Sequence, residues 1–526
     1  MIDDEVSGQA SRPSVAVLLG AGVLLGAAGD VLLRVPGPPG LNLPLWVASV
    51  AIATITVHRR AALALDRERV AWLAIGVVFA SGLAWRDAPP LKLLGLGCAT
   101  LAFALAAHRL SASWVRRAGV LHYAGALALG ALYAWTAAMP ALLDAKRSTA
   151  DVEPGGRARW RGAAAVARGL VIAAPLLLVF GALFVSADAV FARLLVNLIH
   201  FDVERVASHI LLFLVFAWLS IGYMRSFLTG TEPSPLRDLW RDDGLAASAA
   251  KRSRLGITEI ATVLAALDLL FLLFVVVQFR YLFGGDALVR VTPDLTYAEY
   301  ARRGFFELVV AAVLVVPILL AADWLLDRRT QRADSVFRSL AGLQIGLVLA
   351  ITASAFQRLR LYRASYGLTE SRFYATVLLI WIGAMLLWLA ATVLRGRRES
   401  LAFGALASGL ATIALLFAIN PDAIVARTNV ARMPLADAPV RFDVAYATSL
   451  SADAVPVLLG ALPALPADVR CRLARHMLRS WPPDRNRSMR NWNWAAARAS
   501  DAVREQEAWL RSMVVPDQQC GATRVR

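Results

Sequence analysis

Lysine is almost missing from this chain. Only Lys92, Lys146 and Lys251 carry it, although basic residues outnumber acidic ones 55 to 38 and the net charge is +17. In a soluble protein that surplus would point to nucleic acid. Here most arginines lie in short loops between apolar runs, where they set membrane topology, so nucleic acid is not an expected partner. The arginine-over-lysine bias fits genome composition better than phosphate recognition. Cysteine is scarce as well, and three of them exclude a disulfide framework. Cys98 sits inside an apolar run as a packing residue. Cys471 and Cys520 lie in a polar tail and form a disulfide candidate if that tail faces an oxidising compartment. The six histidines are scattered, with no His-x₃-His or Cys-His cluster, so no metal site is expected. A phosphate-cradling Gly-Lys loop, a Gly-x-Ser-x-Gly motif and a kinase signature are all missing. No catalytic residue and no cofactor can therefore be named, and the reading leans away from an enzyme. The acidic opening (Asp3, Asp4, Glu5) lacks a positive n-region, so no cleaved signal peptide is expected.

Long apolar runs are abundant. Hydrophobic residues make up 58% of the chain and the mean hydropathy is +0.58, which is the composition of a membrane protein. Runs of helical length fall near 14–34, 43–57, 70–85, 93–107, 118–139, 169–187, 206–224, 257–280, 304–322, 339–356, 373–394 and 401–419. No window alternates as a lipid-facing strand would. The expected fold is all-α, a polytopic bundle of about 11–12 spans with a small helical C-terminal domain. Composition divides the chain into 1–168, an N-terminal membrane segment, 169–419, a core membrane domain, and 420–526, a helical tail. The tail holds fifteen arginines against ten acidic residues, an ordinary solvated balance. Arginine-rich loops 140–168, 225–256 and 324–338 are expected inside, and 280–303, 357–372 and the tail outside. Loops 58–69, 108–117 and 140–168 all look cytoplasmic, and a single span at 118–139 cannot join two of them. That run is therefore expected to be re-entrant, the alternative being that it spans.

Four motifs identify the class. They are Val275-Val-Val-Gln-Phe-Arg-Tyr-Leu-Phe-Gly-Gly285, Tyr297-Ala-Glu-Tyr-Ala-Arg-Arg-Gly-Phe-Phe-Glu307, Leu361-Tyr with Tyr366-Gly-Leu-Thr369, and Asn420-Pro-Asp-Ala423. In type and order they resemble bacterial multi-pass membrane proteins grouped as domains of unknown function (the DUF4153/DUF4173 group), over roughly residues 169–462. The resemblance implies a polytopic protein of a bacterial cytoplasmic membrane, and it implies no activity.

Charge at the mouth of a membrane helix is costly unless paired or functional. Glu299, Arg303 and Glu307 stand at i, i+4, i+8 if a helix begins near Thr296, and can pair along one face. Arg280, at the end of the preceding span, is expected on the same membrane side, and so are Arg360, Tyr362, Tyr366 and Arg372. With Arg302 they form a candidate binding cluster for an anionic lipid head group or small ligand, since arginine forks match carboxylate and phosphate. The same residues could equally dock the tail onto the bundle. Asp268 lies near the middle of the 257–280 run and needs a partner from another helix, with Gln344 or Asp30 as candidates.

Three readings follow. The first is a non-enzymatic scaffold or sensor with an anionic-ligand site at its outer face and membrane lipids as partners. The second is a secondary transporter using Asp268 as the coupling carboxylate. The third is a membrane transferase acting on a lipid-linked substrate, which lacks an Asp-x-Asp metal pair.

Overall fold

A computed structural model describes residues 15–34, 37–107, 120–150, 203–229, 255–291, 305–326, 331–393, 401–432, 442–482 and 489–514, with Phe184 and Asp188. Among them there is no strand, only an isolated bridge between Leu255 and Leu326. Among the described residues, nine helices are long and apolar enough to cross a membrane. The chain is an all-α, multi-pass membrane protein with short helices following its last span.

The helices of the first half are α1 (Val15–Leu33), α2 (Asn42–Arg60), α3 (Arg67–Trp85), α4 (Pro89–Ala107), α5 (Val120–Thr136), α6 (Ala138–Ala150) and α7 (Val203–Thr229). The second half holds α8 (Ile257–Val291), α9 (Phe305–Leu325), α10 (Gln331–Tyr366), α11 (Glu370–Val393) and α12 (Leu401–Ile419). The run expected at 169–187 lies, but for Phe184, outside the described residues. The run at 118–139 forms α5 and the start of α6, and Tyr123–Asp144 qualifies as a span by length and composition.

Helices α8 and α10 are 35 and 36 residues long. At about 1.5 Å per residue each exceeds the hydrocarbon thickness of about 30 Å by several turns. Segments expected to be loops, 280–291 and 357–366, are instead helical extensions of the spans. An extension keeps every backbone group hydrogen-bonded where water is scarce.

Contacts divide the chain into two compact units, one of residues 1–77, 100–109 and 126–231, the other of 78–99, 110–125 and 232–526. Both take residues from α3 and α4. In the first unit, α1 lies against α7. A Cβ on Gly22 would fall 2.1 Å from Ile221 Cγ1, and one on Gly26 2.8 Å from the Phe213 carbonyl. Only glycine lets the two backbones approach this closely, the packing that stabilises helices in lipid. Leu18, Leu25, Val50, Val57, Ile221 and Met224 fill the core of that unit.

In the second unit the core is a set of helical stripes. Ile260 and Leu264 on α8 meet Ala312, Val315 and Leu319 on α9, Ala341, Ile345 and Val348 on α10, and Ile382, Leu386 and Leu389 on α11. Their three- and four-residue spacing puts each set on one face. Large apolar side chains such as Leu269, Leu273 and Leu387 stay exposed, as a lipid-facing surface requires.

After α12 come α13 (Pro421–Ala431), α14 (Val444–Ser449), α15 (Val455–Ala461), α16 (Ala467–Ser480), α17 (Trp494–Glu505) and α18 (Glu507–Met513). They bury a core of their own, including Leu458, Leu473, Met477, Val503 and Leu510. That core is continuous with Leu368 and Val425 at the helix ends. The tail therefore packs in the same compact unit as α10–α12.

Candidate functional site

Helix α3 ends at Trp85-Arg86-Asp87, and α12 ends at Ile419, followed by Asn420. A helix terminus leaves four carbonyls without intrahelical donors. Arg86 supplies donors across that gap. Its Nε donates to the Phe417 carbonyl at 2.7 Å and its Nη2 to that of Ala418 at 3.1 Å. Its third donor, Nη1, reaches Asp453 Oδ1 at 3.2 Å, with both side chains largely buried. Asp453 Oδ2 accepts from the Asp87 amide at 2.7 Å. Asp87 in turn accepts from Lys92 Nζ at 2.7 Å and from the Ala452 amide at 3.4 Å. Burial pushes the Asp453 carboxyl above its ordinary value, against the pull of the Asp87 amide and Arg86, while Asp422 adds to the push.

Asn493 closes the same junction. Its amide donates to the Leu83 and Arg86 carbonyls at 2.9 and 3.0 Å, while its oxygen caps α17 through the Ala496 amide at 3.0 Å. One side chain thus starts a tail helix and terminates a membrane helix.

Asn420 sits at φ 59° and caps α13 through the Ala423 amide, with Pro421 fixing the first turn. This conformation suits Asn, whose short polar side chain tolerates the left-handed region. It delivers Asp422 into full burial, where Oδ2 accepts from the Ser451 amide and hydroxyl. Asp422 Oδ1 and the Tyr374 hydroxyl are buried without a hydrogen-bond partner among the described residues. Glu370, at the start of α11, is a close electrostatic neighbour of Asp422. The Glu370 amide donates to the Tyr446 hydroxyl at 2.6 Å. Burial pushes that phenol up to about 12, opposed by the Glu370 amide and Arg372 and reinforced by Glu370 and Asp422.

The arginines at the end of α10 follow the same logic as Arg86. Gly367 takes φ 79° just past the helix, the usual left-handed stop. Arg372 donates to the Tyr366 and Gly367 carbonyls at 3.0 and 2.7 Å and stacks 4.0 Å over the Tyr362 ring. Arg432, from the end of α13, donates to the carbonyls of Arg363 and Ala364. Asn429 exchanges two hydrogen bonds with the Leu368 backbone. Two cavities of about 310 Å³ adjoin this end. One is lined by Arg360, Arg363, Arg432, Gln357 and Thr428 with three apolar residues and no carboxylate. The other lies between Tyr366, Arg372, Arg432 and the tail residues Phe442, Asp443 and Tyr446.

Of the residues singled out in the sequence, the structure brings Tyr362, Tyr366 and Arg372 together. Arg360 is exposed and lines the neighbouring cavity. Glu307 is exposed in the first turn of α9, without an ion pair among the described residues. Arg280 lies on α8 with its side chain outside the description, and Glu299, Arg302 and Arg303 lie outside the described residues. Asp268 is buried on α8, and neither its oxygens nor the amide atoms of Gln344 have a hydrogen-bond partner there, so the expected pairing is not formed. Asp30 is engaged within the first unit by Arg34 and His209. Cys98 is a free, buried thiol, Cys471 is disulfide-bonded, and Cys520 lies outside the described residues.

Sequence reasoning missed Arg86, Asp87, Lys92, Asp453 and Asn493. A Trp-Arg-Asp triplet closing an apolar run, followed by Pro89-Pro90, was the available signal for the first two.

No match was found among curated proteins or solved structures. A family model does match, over residues 73–461, which takes in most of α3, all of α4 and the start of the tail as well as the region expected from 169 onward. The chain belongs to the family described as a domain of unknown function (DUF4153).

Proposed function

We propose that this protein is a non-enzymatic scaffold or sensor of a bacterial cytoplasmic membrane, with an anionic-ligand site at the end of α10 and its tail extracytoplasmic. The observation that carries the reading is the cavity where Arg360, Arg363 and Arg432 meet with no carboxylate in the lining. Arg432 is already engaged by helix carbonyls, which leaves Arg360 and Arg363 to meet a ligand. Three guanidinium groups at a membrane helix end suit a phosphate-bearing head group, or a free phosphate or carboxylate ligand. The sidedness rests on loop arginines, and on the ends of α3, α10 and α12 all contacting the tail.

The test is native mass spectrometry of the full chain released from nanodiscs containing phosphatidylglycerol or phosphatidylcholine. Wild type should retain the anionic lipid, and Arg360→Ala/Arg363→Ala should lose it with an unchanged melting temperature. Equal retention by both would overturn the reading. Retention of neither lipid, with a thermal shift on adding inorganic phosphate, would assign the site to a soluble anion.

Asp268 favours a second reading, a secondary transporter, because both its oxygens are buried and unpartnered among the described residues. Intramembrane carboxylates of this kind serve ion or proton coupling. Asp268→Asn should then abolish a proton-dependent flux without lowering protein level. We further propose a Cys471–Cys520 bridge, to be checked by non-reducing mass spectrometry after alkylation in intact membranes.

A further inference from the structure

Among the described residues past 442, three large apolar side chains are exposed: Met489 at 77%, Trp494 at 48% and Trp509 at 37%. Two of them fall within six residues. Between them lies half-buried Trp492, whose ring stands 6.3 Å from that of Trp494. Single exposed apolar residues are normal on any protein. This group is distinguished by where it is held.

The clamp is Asn493. It is 5% exposed and bonded to the carbonyls of Leu83 and Arg86. Trp492 and Trp494 are its chain neighbours, so both backbones sit at the C-terminal end of α3. That helix is a candidate span of 19 residues, about 28 Å long and so close to the hydrocarbon thickness of about 30 Å. A helix of that length, seated across a bilayer, would end at the boundary between acyl chains and head groups. Trp85, the last residue of α3, is itself 42% exposed, with the Arg86 guanidinium 4.5 Å from its ring. An indole has an apolar body and one N–H donor, which fits that boundary better than either water or hydrocarbon.

We propose that Met489, Trp492 and Trp494 form a lipid-facing anchor, which seats the tail in the head-group layer beside the end of α3. The partner is the bilayer surface. Continuity with a membrane-crossing helix selects it, since a protein partner would have to displace lipid from the same ring of residues.

The test uses Met489→Cys in the full chain, carrying a nitroxide label and reconstituted in phosphatidylglycerol/phosphatidylcholine vesicles. Cys98 is buried and Cys471 is bonded, so unsubstituted protein serves as the labelling control. Asp501→Cys, at an exposed position on α17, provides the water-facing reference. Power saturation should give an oxygen-to-nickel-chelate accessibility ratio several-fold higher at 489 than at 501. Equal ratios would overturn the proposal. A label immobilised and shielded from both reagents would also overturn it, because a protein copy and not lipid would then cover the patch. If Met489→Cys lowers the melting temperature, Trp494→Cys gives the same reading from the other end of the turn.

Discussion

Arg69 and Arg86 do the same chemical work in different units. Arg69, 4% exposed, donates to the Ala106 carbonyl at 2.8 Å and the Phe227 carbonyl at 2.6 Å, and lies 3.5 Å from the Phe227 ring centroid. It closes the C-termini of α4 and α7 together. Arg86 closes the C-terminus of α12 and adds a buried carboxylate, Asp453, from the tail. The first ties membrane helices to each other, whereas the second ties membrane helices to the tail. Both explain why arginine and not lysine stands there. A planar fork can serve several carbonyls at once, and an ammonium cannot hold that geometry. Arg372 and Arg432 repeat the arrangement at the end of α10. Three arginines of the second unit, Arg86, Arg372 and Arg432, thus meet helix-end carbonyls, which carry the negative end of the helix dipole.

The largest effect is expected at Arg86. Arg86→Ala leaves Asp453 buried without its cation and should cost about 3–5 kcal/mol. Limited proteolysis should then cut the tail while the membrane helices stay protected. Arg86→Leu combined with Asp453→Leu should cost less than Arg86→Ala alone. If the double variant is the worse of the two, charge pairing is not what holds the tail.

Arg69→Met should cost roughly 2–3 kcal/mol through lost charge-assisted hydrogen bonds. It should lower the thermal unfolding midpoint without exposing the tail to protease. Tail cleavage in this variant would erase the distinction between the two arginines.

A smaller effect is expected at Gly367. An added Cβ would require φ 79° of a non-glycine residue and would stand 3.0 Å from Asn429 Oδ1. Gly367→Ala should cost about 1–2 kcal/mol, read as loss of stability with Gly367→Asn milder than Gly367→Ala. An unchanged midpoint would show that the α10 stop does not support the junction.

The smallest effect belongs to the tail alone. Burial lowers the His476 pKa, so the folded tail prefers the neutral ring. Its contribution is fully present above the unfolded value of about 6.5 and is lost as pH falls through the folded value. Tail stability, followed by proteolysis between pH 7.5 and pH 5, should decline on acidification, and His476→Gln should flatten the profile. A profile unchanged by the substitution would remove His476 as the cause.

Apolar runs of helical length, together with the polar gaps between them, determined the all-α membrane class and located α1, α3, α4, α11 and α12 to within a few residues, while α10 ran well past its expected ends. A span needs only local composition, because each helix satisfies its own backbone. The four motifs likewise sufficed to recognise the family. The helical character of the tail was legible too, since amphipathic spacing is local, and it appears as α16, α17 and α18 among others. Tertiary structure alone decided which charges matter. Arg86 meets Asp453 and Phe417, Arg69 meets Phe227, and Asn493 meets Leu83, all across more than 150 positions of chain. No spacing rule reaches that far. The carbonyls these residues serve exist as acceptors only because a helix stops there and another packs beside it, so the donor a carbonyl finds is set by packing and not by its neighbours in sequence.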